Sequence, residues 1–265
     1  YKGGIVIKSM HGFLGVNELP EIIGLILTYL TVIVIINSFN LIDGVDGLAA
    51  GLGIFTTLTF GMYFYVAAHA EYAALAFAMC GSLLAFLIFN RSPARIFMGD
   101  TGSLLIGLIN AILVVQFINI AGSPGALVPF PASPAIAIAI LIIPLFDTLR
   151  VFSIRIFNRR SPFSPDRNHI HHILLDRGMS HKAVSFVLIV VNIFFVAVAY
   201  LLSFVSINIL IPVLITLAFG GFTLVYLRKP RLMVVATADN EDILQLTKPS
   251  RILPLTPAKK AAEHN

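Results

Sequence analysis

Long apolar runs separated by short polar breaks dominate the chain. Many of these runs approach or exceed the roughly 20 residues that an α-helix needs to cross a bilayer. Reading each run between charged or turn-forming residues predicts seven membrane helices. They lie at about 22–36, 48–68, 72–89, 102–120, 135–157, 183–204 and 207–227. The pattern therefore predicts an all-α, polytopic transmembrane helix bundle, with residues 1–227 forming one transmembrane domain and residues 228–265 a polar tail.

The composition supports membrane insertion. The chain is 58% hydrophobic and 12% charged, with a mean hydropathy of +0.93, whereas soluble chains carry about 25% charged residues. A single cysteine, Cys80, excludes both an intrachain disulfide and a site of several thiolates. The net charge of +5 comes from basic residues that flank apolar runs. Such residues are typical topology signals, so we expect membrane lipid, and no nucleic acid, as a partner.

The basic residues also indicate orientation. If alternate connections lie on the same side, then 37–47, 90–101, 158–182 and the tail share one face. Of the 18 Lys and Arg residues, only Lys2 and Lys8 fall on the other face. Cytoplasmic loops carry the excess of Lys and Arg, so the first face is predicted to be cytoplasmic.

The first polar segment on that face contains Asn37, Asn40, Asp43 and Asp46 with two glycines. Lipid cannot solvate such groups, so the segment is expected to border a watery cleft. Amide and carboxylate oxygens suit Mg²⁺ or Mn²⁺, and glycines allow close approach to a phosphate. The alternative interpretation is a capped turn between two helices, with Asp46 near the start of the second.

The second polar segment, Arg95 to Ser103, directly precedes another apolar run. Asp100 could ligate a metal or cap the helix. The Gly, Thr, Gly and Ser residues around it would present backbone N–H groups at a helix start, which favours phosphate binding. The Gly-Lys ending of a nucleotide-binding P-loop is absent, so nucleotide hydrolysis is not expected.

The third segment, residues 161–172, ends with three histidines, His169, His171 and His172. Either His169 and His171 alternate in an extended piece, or His169 and His172 share a helical face. Arg167 offers a fork for phosphate oxygens and the histidines offer hydrogen bonds to a diphosphate. A zinc site that uses Asp166, and a solvated loop, are the two alternatives.

Asp147 lies well inside an apolar run. An ionisable residue at membrane depth is a functional candidate. The competing explanation is a structural ion pair with Arg150, which lies one helical turn later on the same face. The sequence leaves both open.

Together the three segments resemble one family, the polyprenyl-phosphate N-acetylhexosamine-1-phosphate transferases (glycosyltransferase family 4). The resemblance rests on Asn37-x-x-Asn40-x-x-Asp43-Gly-x-Asp46-Gly, Phe97-Met-Gly-Asp100-x-Gly-Ser103 and His169-Ile-His171-His172, in that order. The stretch from Ser161 to His172 is most similar to the branch that transfers GlcNAc-1-phosphate.

The resemblance implies transfer of an N-acetylhexosamine-1-phosphate from a UDP-sugar to undecaprenyl phosphate, with release of UMP. It also implies a bacterial cytoplasmic (inner) membrane location, the first membrane step of cell-envelope polysaccharide synthesis, and a homodimer as one assembly. By analogy, the metal ligands for Mg²⁺ (or Mn²⁺) are Asn40 and Asp100. The catalytic residues implied are Asp43, Asp46, Asp100 and His169, and the substrate-binding residues are Asn37, Asp46, Arg167, His169, His171 and His172.

The chain departs from that family in one respect. Members carry a paired-aspartate motif on an earlier cytoplasmic loop, and this sequence contains no Asp-Asp pair. They also have about ten or eleven spans. We therefore expect three or four further spans upstream of Tyr1, and we expect the isolated chain to transfer no sugar phosphate. A membrane transporter, and an inactive fragment of the transferase, are the alternative functions.

Overall fold

The computed structural model describes residues 4–159, 161 and 169–227, and the predicted tail, 228–265, lies outside them. Six of the helices in this part are long and apolar enough to cross a membrane, or seven if one bent pair counts as a span. The prediction of an all-α, polytopic membrane bundle is confirmed. The helices are α1 (Glu21–Ile42), α2 (Leu48–Val66), α3 (Ala70–Asn90), α4 (Gly99–Ala121), α5 (Ser133–Ile140), α6 (Ile142–Phe157), α7 (Ile170–Leu175), α8 (His181–Leu201) and α9 (Ile207–Leu227).

Helix α1 extends beyond the predicted end near residue 36 and runs to Ile42. Two polar residues near its end, Asn37 and Ser38, bond to their own helix instead of breaking it. The Asn37 amide donates to the Ile33 carbonyl at 2.7 Å, and the Ser38 hydroxyl donates to the Val34 carbonyl at 2.7 Å. Such bonds to the preceding turn satisfy a short polar side chain without ending a helix. The connection to α2 is therefore only residues 43–47.

The predicted helix over 135–157 is wrong as one straight element, because α5 and α6 meet at Leu141 with a bend of 83°. Pro144 has no N–H to donate to the Ile140 carbonyl, so the helical ladder is interrupted. The side chain of Asn192 on α8 supplies the missing hydrogen bonds. Its Nδ2 donates to the Ile140 carbonyl at 2.8 Å, and its Oδ1 accepts from the Ile143 N–H at 3.2 Å. One buried amide thus satisfies both sides of the break.

Helices α1 and α4 pack with their backbones close together. A Cβ atom built on Gly107 of α4 would lie 2.6 Å from the Ile36 Cα, closer than real contacts allow. Small residues are the usual means by which membrane helices approach this closely. The close approach matters for function, because it brings the end of α1 beside the start of α4.

A short antiparallel hairpin, which the hydropathy pattern does not predict, precedes α1. It consists of β1 (Ser9–Phe13) and β2 (Val16–Glu18). Asn119, near the end of α4, accepts from the Lys8 N–H and donates to the Val6 carbonyl. The hairpin therefore lies at the end of the bundle opposite to the start of α4.

Candidate active site

The site begins where the end of α1 meets the start of α4. The Asn40 Nδ2 donates to Asp100 Oδ1 at 3.1 Å and to the Ser103 hydroxyl at 3.0 Å. Ser103 is fully buried, whereas Asp100 is exposed. The first two predicted motifs, sixty residues apart, are therefore in direct contact. A single metal ion bound by both Asn40 and Asp100 would require this.

Asp43 follows α1 directly, near the same carboxylate. Burial and the neighbouring Asp100 charge together raise the pKa of Asp43 to about 6. Two carboxylates that repel each other in a partly buried cleft favour either a proton or a cation between them. The pair therefore provides a physical reason for a cation at this point.

The next residue, Gly44, brings the histidine segment into the site. A Cβ atom on Gly44 would lie 2.6 Å from Nε2 of His171. Only glycine leaves room for the imidazole ring against this turn. The first and third motifs, which are more than 120 residues apart in sequence, therefore meet at Gly44.

The rest of the turn, Asp46 and Gly47, is held from two sides. Asp46 Oδ2 accepts from the Ala94 N–H at 3.2 Å, and the Asp46 carbonyl accepts from the Ser185 hydroxyl at 2.9 Å. Gly47 has a left-handed φ of +75°, and its N–H donates to the buried Asn90 side chain at 3.0 Å. The alternative of a turn between two helices, with Asp46 near the start of the second, is thus correct, but the predicted cap is wrong, because Gly47 precedes α2 and no side chain caps the helix.

His181, which has no predicted role, also contacts this turn. Its Nδ1 lies 3.3 Å from the Asp46 N–H and 3.7 Å from Asp46 Oδ1. A neutral Nδ1 accepts from the backbone, whereas a protonated Nδ1 pairs with the carboxylate, so only one contact forms at a time. Spacing gave no signal for His181 or Ser185, because both follow the histidine segment at the start of a separate helix.

The histidine segment is docked on α6 through Asp147. One carboxylate oxygen of Asp147 accepts from Arg150 at 3.0 Å and from the Ile170 N–H at 2.8 Å. The other oxygen lies 3.0 Å from Nδ1 of His169. Asp147 is 2% exposed and His169 is 4% exposed. The predicted Asp147–Arg150 pair is present, and the same carboxylate also reaches the third motif.

His169 and His171 are the two histidines whose rings lie parallel, with centroids 5.6 Å apart. Their residues span the start of α7, with His169 just before it and His171 inside it. Burial is the main cause that lowers the pKa of His171 to about 4. His171 is therefore neutral near pH 7 and can offer one hydrogen bond, but no positive charge, to an anion.

The remaining predicted residues are placed as follows. Asn37 lies on α1 and bonds to its own helix, and its substrate-binding role stays a prediction. His172 lies on α7, with its ring centroid 4.3 Å from that of His171. Asp166 and Arg167 lie outside the described residues. Within the described ranges, no group of three or more His, Cys, Asp or Glu side chains could hold a metal ion, so the zinc alternative gains no support there.

Comparison with known proteins supports the resemblance carried by these motifs. Residues 1–118 match the family model of glycosyl transferase family 4. A probable undecaprenyl-phosphate N-acetylglucosaminyl 1-phosphate transferase of Bacillus subtilis is 38% identical over 169 residues, 64% of this chain and 45% of that protein. The undecaprenyl-phosphate alpha-N-acetylglucosaminyl 1-phosphate transferase of Escherichia coli K12 is 36% identical over 170 residues, 63% of this chain and 44% of that protein.

A third relative is the decaprenyl-phosphate N-acetylglucosaminephosphotransferase of Mycolicibacterium smegmatis. It is 36% identical over 191 residues, which cover 64% of this chain and 45% of that protein. The chain thus spans about half the length of the curated relatives it matches. The predicted resemblance to the polyprenyl-phosphate sugar-1-phosphate transferases is confirmed.

Proposed function

We propose that this chain forms the catalytic part of an enzyme that transfers GlcNAc-1-phosphate from UDP-GlcNAc to undecaprenyl phosphate and releases UMP. One observation carries the proposal: three distant motifs converge on one cleft. Asn40 bonds to Asp100 at 3.1 Å, and Gly44 lies against His171. The printed names of the relatives, which pair N-acetylglucosamine phosphate with a polyprenyl phosphate, support the substrate class.

The arrangement suits phosphoryl-type transfer between two anions. Such a reaction requires positioning and the neutralisation of phosphate charge more than covalent chemistry by the protein. In the proposed roles, Asp43 and Asp46 shape the donor pocket. His169 and His171, together with Arg167 and His172, hold phosphate oxygens by hydrogen bonds.

The residues present fit a divalent cation of the magnesium type. Mg²⁺ keeps several waters and commonly binds through one or two carboxylates plus substrate phosphates. The close amide and carboxylate of Asn40 and Asp100, with Asp43 nearby, match that requirement without a cluster of three acidic ligands. When bound there, Mg²⁺ would offset charge on the diphosphate. The chain's own contribution is to hold Asp100 through Asn40 and to place Asp43 beside it.

An apolar groove supports a polyisoprenoid acceptor. It lies between α1 and the bent pair α5 and α6, with a cavity volume of about 360 Å³. Its lining includes Leu30, Val34, Ile138, Leu145 and Leu149. The groove extends from the hairpin along α1 as far as Ile35 and along α6 as far as Leu149, two residues after Asp147, so a chain lying in it would point toward the end of the bundle that holds the cleft.

The test is a transfer assay with radiolabelled UDP-GlcNAc, undecaprenyl phosphate and Mg²⁺, on the full-length gene product with its expected upstream spans, in membranes; wild type and variants refer to this protein. We expect the wild type to release UMP and form a labelled lipid. Asp100→Asn should lower the rate by about 100-fold or more, because it removes an anionic ligand of the Mg²⁺ that would neutralise the diphosphate. Glu71→Gln is the matched control, since Glu71 pairs with His69 at 3.5 Å at the opposite end of α3.

Equal transfer by wild type and Asp100→Asn would overturn the assigned site. Uptake of label into vesicles without lipid product would favour the transporter alternative, which the names of the relatives do not support. Replacing the donor by UDP-GalNAc tests the sugar. A rate equal to that with UDP-GlcNAc would contradict the assignment to the GlcNAc branch.

We also infer that the cleft faces the cytoplasm of the inner membrane. The described basic residues at the cleft end include Arg91, Arg95, Arg177 and Lys182, and Lys8 lies at the opposite end. This distribution follows the positive-inside rule. The variant Lys182→Cys in a Cys80→Ala background should react with a membrane-impermeant thiol reagent only in inside-out vesicles. Reaction in intact cells would show that the cleft faces away from the cytoplasm.

A further inference from the structure

The buried carboxylate Asp147 has more partners than a structural ion pair needs. It accepts from Arg150 on its own helix, from the Ile170 backbone and from His169. Two of these three contacts go to the segment that carries the third motif. Transferring a charge from water into the protein interior is unfavourable unless several partners compensate it. The three contacts of Asp147 therefore stabilise one position of the histidine segment.

Arg150 completes the charge balance around this carboxylate. Its guanidinium lies 3.0 Å from Asp147 and 4.3 Å from the centroid of the Phe222 ring on α9. The Asp147 charge is therefore already neutralised before His169 is considered. Within the described part of the chain, the titratable and charged groups that face Asp147 are Arg150, His169 and, at 4.0 Å, His171.

The contact with Nδ1 determines how His169 can act. A carboxylate only accepts hydrogen bonds, so Nδ1 of His169 must carry the proton between them. The same logic fixes the tautomer of histidines in metal sites and in hydrolase triads. Nε2 is then the ring nitrogen that can take up a proton and donate a hydrogen bond to a ligand.

We propose that Asp147 is a positioning residue that docks the histidine segment on α6 and holds His169 with its proton on Nδ1, so that Nε2 is the atom that takes up a proton from water and donates it in a hydrogen bond to a phosphate oxygen. The inference rests on the proposed function and adds a residue to it. Asp147 acts through His169 and does not itself touch substrate.

The tautomer is tested directly by ¹⁵N NMR of histidine-labelled protein in lipid. The His169 signals are identified by their loss in His169→Gln. We expect wild-type His169 to carry its proton on Nδ1. In Asp147→Asn the side-chain amide can donate to Nδ1, so the proton should move to Nε2. A wild-type His169 protonated on Nε2 alone would overturn the proposal, whatever the protein's activity.

The functional link is tested by a double-mutant cycle on kcat/KM for UDP-GlcNAc. Asp147→Asn alone should reduce kcat/KM by about 10- to 100-fold, as for other residues that orient a functional histidine. In the His169→Gln background the same change should alter kcat/KM by less than about twofold, because residues that act as a unit are not additive. Equal effects in both backgrounds would reduce Asp147 to a structural role.

Two further variants separate folding from function. Asp147→Asn leaves Arg150 buried without its carboxylate, so the double variant Asp147→Asn/Arg150→Gln removes both charges. It should show the same loss of kcat/KM and the same shifted proton on His169. Glu71→Gln, which removes a carboxylate beside His69 at the other end of the bundle, should change neither. Wild type without UMP release would contradict the proposed function, while the wild-type NMR spectrum would still decide the tautomer.

Discussion

Gly44→Ala is the substitution whose effect the structure sets most directly. The new Cβ would lie 2.6 Å from His171 Nε2, whereas ordinary contact begins at 3.4 Å. The ring must therefore retreat by about 0.8 Å. It has little freedom to do so, because it is 1% exposed and lies between the rings of His169 and His172.

A displacement of about 1 Å in a positioning group can lower a rate by roughly 100-fold. We therefore expect Gly44→Ala to lower kcat for UMP release by about 10- to 100-fold. Its stability should fall by about 1–3 kcal/mol, because the ring that must move is buried, although the φ of Gly44 is not left-handed. In such a position alanine restricts the unfolded chain and offsets part of any strain.

The matched control is Gly81→Ala on α3, where a Cβ meets nothing within 4 Å. Both variants are assayed in membranes with UDP-GlcNAc and undecaprenyl phosphate, and thermal unfolding is followed in parallel. Gly81→Ala should keep wild-type activity. If folded Gly44→Ala stays within about twofold of wild type, the contact between the first and third motifs has no catalytic role and the reasoning fails.

Three further predictions concern stability, each measured by unfolding in detergent. Burial lowers the pKa of His171 from 6.5 to about 4. Between pH 6.5 and pH 4 the unfolded state therefore binds more protons than the folded state. The free energy of unfolding should fall by roughly 3 kcal/mol as the pH drops from 6.5 to 4. His171→Gln should lose most of that slope, and an unchanged slope would assign the acid sensitivity elsewhere. Gly107→Ala should destabilise by about 1–3 kcal/mol, because its Cβ meets the Ile36 backbone, and a neutral effect would contradict the close packing of α1 and α4. Asn192→Leu should cost about 2–3 kcal/mol, since two buried backbone groups at the α5–α6 break lose their partner; an unchanged melting temperature would show that the break is satisfied by other means.

Several site contacts had no signal in the sequence. Asn90 and His181 each hold the turn that contains Asp46, yet one ends an apolar run and the other starts a different helix. Their roles depend on which helix ends meet in space. By contrast, the resemblance of their motifs to one family implied the pairing of Asn40 with Asp100, and their hard oxygen atoms at the same predicted face agree with it.

The sequence likewise predicts some features of the helices but not the positions of all their ends. Apolar run lengths predicted seven spans, since a helix must satisfy all its backbone groups within lipid, and the described residues contain six, or seven if the bent pair is counted. The run lengths missed the true end of α1 at Ile42 and the bend at Leu141. Both depend on side-chain bonds, of Asn37 to its own helix and of Asn192 to another, which a hydropathy pattern does not contain.

Local composition and spacing were enough to predict the membrane class, the shared face of the three polar segments and the chemistry of their side chains. The tertiary structure decided which of those side chains meet. It placed His171 against Gly44, and it turned the open question of Asp147 into a contact with both Arg150 and His169. These contacts join residues of different helices, and packing between helices depends on close approaches, such as that of Gly107 to Ile36, that no single segment encodes.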